Sequence, residues 1–309
     1  MTAKRLSVDQ RSSFSRLFPF LCLLIIGILW GATIPLTKIA VSTGHHSFGL
    51  IVWQLAIAAI LLGVIVVIRR SVIHLTPRYL VYYAVIAISG TLMPNSISYW
   101  TAFHLPAGVM ALIIAVVPVF SMLIAASLGF ERATRARLLG IALGGVAIAM
   151  IVLPESSLPD PAKAVFVLIG LLAPLCYGAE GNYVAQRQPP EAGPFATLFA
   201  ASVIGLLLLF PIGWASGTLI DMSQALGRPE WALIISSLLH VVAYCGYLWL
   251  TKFAGAVFAA QVAYVATPAG VVIAIVVLGE EPSLFIWLAL ALLMIGIALV
   301  QPKRSDDAQ

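Results

Sequence analysis

The sequence predicts an all-α integral membrane protein of ten transmembrane helices, built as two inverted five-helix repeats. Three observations carry that prediction: an apolar composition, uncharged runs of spanning length, and internal similarity between halves that must face opposite ways. Of 309 residues, 61% are hydrophobic and 9% charged, with a mean hydropathy of +1.06. A water-soluble domain cannot bury so large an apolar share, so the lipid bilayer is the expected solvent. The three cysteines, Cys22, Cys176 and Cys245, fall within apolar runs, which supports neither a disulfide framework nor a zinc site.

A helix crosses the hydrocarbon core of roughly 30 Å in about 20 residues. Apolar runs of about that length predict spans at residues 17–43, 47–68, 78–103, 106–129, 136–153, 164–186, 194–217, 230–251, 254–278 and 282–301. The longest run, Tyr79 to Phe130, exceeds one span. It divides at His104-Leu105-Pro106, where proline can open a new helix after a turn. Thr43-Gly44-His45-His46 similarly separates spans one and two. Lys4, Arg5, Arg11 and Arg16 precede the first apolar region, as in a signal peptide. That region is longer than a signal core, and no small-residue cleavage site follows it before Lys38, so span one is expected to persist.

Basic residues orient the chain, because Lys and Arg are retained on the cytoplasmic side. With the N-terminus inside, fourteen lie inside: Lys4, Arg5, Arg11, Arg16, Arg69, Arg70, Arg78, Arg132, Arg135, Arg137, Arg187, Lys252, Lys303 and Arg304. Lys163 and Arg228 lie outside, and Lys38 falls within span one. The formal charge of +5 is therefore topogenic, and no nucleic-acid partner is expected. The expected location is the cell (inner) membrane, with both termini cytoplasmic.

A shift of 150 residues places Thr101 on Thr251, Phe103 on Phe253, Pro118 on Pro268, Leu128 on Leu278, Gly129 on Gly279 and Glu131 on Glu281. A shift of 147 places Trp30-Gly31-Ala32 on Tyr177-Gly178-Ala179. Each half holds an odd number of spans, so the second inserts upside down relative to the first. Inverted repeats around a midplane site suit alternating access, because exchanging the two conformations converts one opening into the other. The expected organisation is a cytoplasmic segment at 1–16, repeats at 17–153 and 164–301 joined by an outer linker at 154–163, and a cytoplasmic tail at 302–309.

The Trp30-Gly31 pair, the alanine-rich fourth and ninth spans with Pro118 and Pro268, and the closing Gly129-Phe130-Glu131 and Gly279-Glu280-Glu281 resemble the two EamA-type repeats of the drug/metabolite transporter superfamily. The resemblance covers about residues 20 to 301. It implies a ten-helix bacterial inner-membrane carrier, often an exporter of amino acids or other small metabolites. It also implies a central cavity lined by spans one, three, four, six, eight and nine, with spans five and ten peripheral. Phe130 departs from the pattern, and either Glu280 or Glu281 can be the equivalent of Glu131.

Polar side chains in hydrocarbon are costly, so each is a candidate site residue. Glu180 in span six, with Tyr177 on its face, could carry a proton or pair with a substrate ammonium; a structural hydrogen bond or ion pair is the alternative. Lys38 could meet a substrate carboxylate, or snorkel to the interface. His240, with Tyr244 and Tyr247 at plus four and plus seven, makes an aromatic and polar stripe suited to a proton relay or to an interhelical hydrogen bond. Thr91, Asn95 and Ser98 share one face of span three beside Pro94, Trp30, Thr33 and Thr37 share one of span one beside Pro35, and Gln261 and Tyr264 precede Pro268 on span nine. Pro118 and Pro268 are expected hinges. Glu131 and Glu281 suit the N-terminal dipoles of spans five and ten, with Pro282 in the first turn. Gly140 and Gly144 permit close packing, within the monomer or in a homodimer.

These features predict a secondary transporter of a small-molecule metabolite such as an amino acid or amine, with protons as a further possible partner. No cofactor or metal is expected. The alternatives are a flippase for lipid or lipid-linked substrates and a membrane-embedded enzyme. Against the enzyme, no HExxH or GxSxG motif and no intramembrane aspartate cluster is present. No phosphate-binding loop is present either.

Overall fold

The computed structural model describes residues 8–131, 134–153, 158, 160–223, 225–254 and 261–300, with side chains from residue 18 onward except at 248, 251, 252 and 254. Residues 1–7 of the expected N-terminal segment, the whole tail at 302–309, and Arg132 lie outside these, as do the side chains of Arg11, Arg16 and Lys252. Among the described residues thirteen α-helices are present: α1 Val8–Ala40, α2 Ser47–Arg69, α3 Pro77–Ala87, α4 Met93–His104, α5 Ala107–Ile114, α6 Val117–Ser127, α7 Arg135–Val152, α8 Ala164–Gly170, α9 Leu172–Arg187, α10 Pro194–Ala215, α11 Arg228–Ala254, α12 Val262–Leu278 and α13 Leu284–Val300. Eight uninterrupted or bent segments are long and apolar enough to cross a bilayer, and the shorter apolar α12 and α13 complete ten. Val67 and Val276 leave 75% and 76% of their surface exposed, as lipid-facing side chains do where hydrocarbon rather than water is the solvent.

Two breaks and one π-helical turn within spans follow from proline. A proline lacks the N–H that would bond to the carbonyl four residues back, and its ring crowds that carbonyl. Pro118 stands four residues after Ile114, where α5 ends; Pro174 stands four after Gly170, where α8 ends; Pro94 stands four after Gly90, within a π-helical turn at Ile88–Leu92 that joins α3 to α4. Spans four and six, expected as single helices, are thus each two helices in line. Pro118 sits in the first turn of α6, whereas Pro268 lies inside the uninterrupted α12. The two expected hinges therefore differ in backbone form.

The packing is a set of contacts between halves. Span one (α1) packs on span eight (α11) and span nine (α12), while span six (α8 and α9) packs on span three (α3, the π-turn and α4) and span four (α6). Span two meets span seven through α2 and α10, and span five meets span ten through α7 and α13. Exchanging the halves maps this set onto itself, as two inverted copies require. The seams close at glycines. A β-carbon on Gly31 would lie 2.5 Å from the Ala266 carbonyl and 2.9 Å from the Gly270 nitrogen, and one on Gly178 would lie 2.8 Å from the Ser121 nitrogen. Gly31 and Gly178 are the pair related by the 147-residue shift. Gly129 and Gly279, related by 150, adopt φ of 75° and 67°, a left-handed conformation that only glycine holds without strain.

Gly140 faces Gly296 across the α7–α13 seam, and a β-carbon on either would lie within 3 Å of the other's carbonyl. The GxxxG spacing therefore serves packing within the chain. Gly140→Leu is expected to cost about 1–3 kcal/mol by overpacking, read as a lower Tm in detergent. Gly145→Leu, where a β-carbon meets nothing within 4 Å, should leave Tm unchanged; equal losses would discard this seam.

Candidate functional site

The π-turn created upstream of Pro94 presents Gly90 toward span six, and the Glu180 carboxylate occupies the space that a side chain at position 90 would fill. A β-carbon there would lie 2.9 Å from Glu180 Oε1. Glu180 is half-buried on α9. Among the described residues it makes no hydrogen bond and no ion pair. The Tyr82, Tyr177 and Tyr244 side chains lie within electrostatic reach of it. They come from spans three, six and eight.

Beside this acid runs a polar relay. Tyr177 donates its hydroxyl to Asn95 Oδ1 at 2.7 Å; Asn95 Nδ2 donates to Gln54 Oε1 at 3.0 Å, which also accepts from the Tyr99 hydroxyl at 3.0 Å. Four side chains on spans two, three and six are thereby fixed, and Asn95 both donates and accepts. Asn95→Ala should cost about 1–2 kcal/mol by leaving its partners unpaired in an apolar setting. The check is thermal stability in detergent, and an unchanged Tm would rule the relay unimportant to the fold.

Trp30 stands edge-on to three rings of span eight: His240 at 5.9 Å, Tyr244 at 5.9 Å and Tyr247 at 5.6 Å between centroids. His240 stacks on Tyr244 at 6.1 Å with 9° between planes. Such edge-to-face geometry is the favoured one for aromatic pairs. Thr33 turns its hydroxyl to the Trp30 carbonyl at 2.6 Å. The shifts that relate the halves carry Gly90 to His240 and Glu180 to Thr33. One seam therefore places an acid against a glycine notch, while its inverted counterpart places Trp30 beside an imidazole.

Residues 17–153 and 164–301 each match the EamA-like transporter family. The chain belongs to this family. It is 29% identical over 131 residues to a "Probable terminal-alkyne amino-acid exporter" of Streptantibioticus cattleyicolor, and the matched stretch covers 41% of this chain and 42% of that protein. A solved structure titled "Crystal structure of protein" shares the fold with a TM-score of 0.59 at 15% identity, covering 90% of this chain and 96% of that one. A multi-pass EamA-family membrane protein is thus the common outcome of sequence, fold and relatives.

In this EamA-family chain the remaining expected residues are dispersed. Lys38 Nζ donates to the Ala102 and Phe103 carbonyls at 2.7 and 3.2 Å, capping the end of α4 as cations suit helix C-termini. Its side chain lines a cavity of about 230 Å³ with His104, Leu105, Pro106, Leu158, Lys163 and Glu280, away from Glu180. Gln261 heads α12, and Tyr264 packs against the largest core cluster. Ser98 Oγ is buried without a partner among the described residues. Glu131 pairs with Arg137 at 2.8 Å.

Five participants were not anticipated, among them Tyr99 of the relay. Gln54, an amide in the otherwise apolar span two, is exposed by the same rule that singled out Asn95. Tyr82 lies near the start of span three, where tyrosine reads as an interface anchor. Gly90 carries no chemical signal by itself. Glu280 does something the sequence did not suggest for the closing glutamates: its carboxylate accepts from the backbone N–H of Ala107 at 2.5 Å and of Gly108 at 2.9 Å. It serves the N-terminus of α5 in the other half rather than its own tenth span.

Proposed function

We propose that this chain is a secondary transporter that exports small nitrogen-bearing metabolites, amino acids or amines, by alternating access of its two inverted repeats. The observation that carries the reading is the exchange-symmetric set of seams, Gly31 on α12 and Gly178 on α6, because a carrier of this kind needs two equivalent interfaces that can trade shapes. Glu180 lies beside one of those seams, on the helix that carries Gly178. It is the group through which protons or a substrate ammonium act in this reading. Membership of the EamA-like family supports it, as does the exporter name of the partial relative.

The test is flux in proteoliposomes holding the purified full chain, loaded with labelled amino acids and amines and given a pH gradient of either sign. Saturable, substrate-selective flux that accelerates with one sign of the gradient is the expected result. Flux equal to that of protein-free vesicles for every solute class would overturn it.

A further inference from the structure

The unpaired state of Glu180 calls for a partner. A carboxylate away from water gains by meeting a cation or hydrogen-bond donors, and an uncompensated one is expensive. No described basic side chain pairs with it: Lys38 donates to the α4 carbonyls, Arg137 pairs with Glu131, Arg69 lies over the Phe195 ring at 4.8 Å, and Lys163 lines the cavity at the Lys38 end. The neighbouring groups instead include three phenols. Tyr82, Tyr177 and Tyr244 lie within its electrostatic reach, and Trp30 stands beside Tyr244. Glu180, Tyr177, Tyr244 and Trp30 are each only half-buried, so part of each surface remains for a ligand.

We propose that Glu180 with the rings of Tyr177 and Tyr244 forms the recognition site for an organic ammonium ion, an amine with an apolar body and no carboxylate. This rests on the transporter reading and narrows its substrate class. Tyrosine rings attract diffuse cations through their quadrupoles. A bare alkali or alkaline-earth ion requires several oxygen ligands, and the Tyr177 hydroxyl is already donated to Asn95. An amino acid would bring its carboxylate into the same group of residues, where Glu180 repels it and no described basic side chain meets it. Charge therefore selects amines over zwitterions, and the rings select a ligand with apolar bulk.

Three probes with one carbon frame separate these charges: phenethylamine, phenylalanine and 3-phenylpropionate. Binding to the full-length protein in detergent is read by calorimetry and by the rise in Tm that a native-state ligand produces. Phenethylamine is expected to bind at least tenfold more tightly than phenylalanine, and 3-phenylpropionate not to bind. Glu180→Gln should abolish the phenethylamine signal. Tyr244→Leu should weaken it about fivefold or more, and Tyr244→Phe should preserve it. Should Glu180→Gln not fold, Gly90→Ala, which crowds the carboxylate, provides the second variant and should weaken phenethylamine at least tenfold. Phenylalanine binding as tightly as phenethylamine would overturn the ammonium assignment, as would phenethylamine binding indifferent to Glu180. Absence of phenethylamine binding in a protein whose vesicles still show Glu180-dependent flux would also overturn it, leaving Glu180 to protons alone. Flux measured in parallel judges the transporter reading separately.

Discussion

A cysteine at position 105 is expected to react with a maleimide about tenfold faster when Glu280 is replaced by alanine. Leu105 is fully buried at the start of the α4–α5 turn, and the carboxylate of Glu280 holds the first turn of α5 through two backbone N–H groups. Hydrogen bonds to a charged group contribute about 1.5–3 kcal/mol each. Allowing for screening at a half-buried site, about 1.4 kcal/mol of lost restraint already changes an opening equilibrium tenfold. Glu280→Gln retains one good acceptor and should give an intermediate rate. The measurement uses the Leu105→Cys protein with Cys22, Cys176 and Cys245 replaced. An alanine variant labelled at the parent rate would show that this end is closed by packing alone.

Gly178→Val is expected to reduce flux at least a hundredfold while Gly181→Val leaves it near the parent level. The two glycines lie three residues apart on α9, yet only the first abuts backbone. A β-carbon at 178 meets the Ser121 nitrogen at 2.8 Å, whereas one at 181 meets nothing within 4 Å. Backbone cannot rotate away as a side chain can, so α9 and α6 must separate. That separation also disturbs the Asn182 amide, which donates to the Ser121 carbonyl at 3.0 Å. The stability cost of such overpacking is about 1–3 kcal/mol, so flux should be compared at matched amounts of folded protein. Loss of flux in Gly181→Val alone would reverse the assignment of the moving seam.

The span count was legible because hydrocarbon imposes a length that the uncharged runs display directly. The aromatic stripe of span eight was legible for a similar reason, since a helical period places His240, Tyr244 and Tyr247 on one side. The π-turn was not, although Pro94 marks it. A proline states that a bond to the residue four back is missing, but whether the chain bends, widens or breaks depends on what packs there. Pro94 gave a π-turn, Pro118 and Pro174 gave breaks, and Pro268 gave neither. The Gly90–Glu180 fit was illegible because it joins a residue without a side chain to one 90 positions away. Lys38 illustrates a different limit: its hydrogen bonds to the α4 carbonyls depend on a position that no helix-by-helix reading provides.

The two ends of the bundle are not equal. Gly279 and Gly129 share a left-handed turn, but the next residue is Glu280 in one half and Phe130 in the other. Only the first can clasp a helix terminus by charge, so under the alternating access proposed above the empty carrier is expected to wait longer with the Glu280 end shut. This asymmetry cannot choose the direction of net flow, because microscopic reversibility leaves that to the gradients. It sets instead how strongly the same site appears to bind from each face, since apparent affinity falls with the fraction of carriers open to that face. Ligand offered at the Glu280 end should therefore saturate at higher concentration than ligand offered at the opposite end.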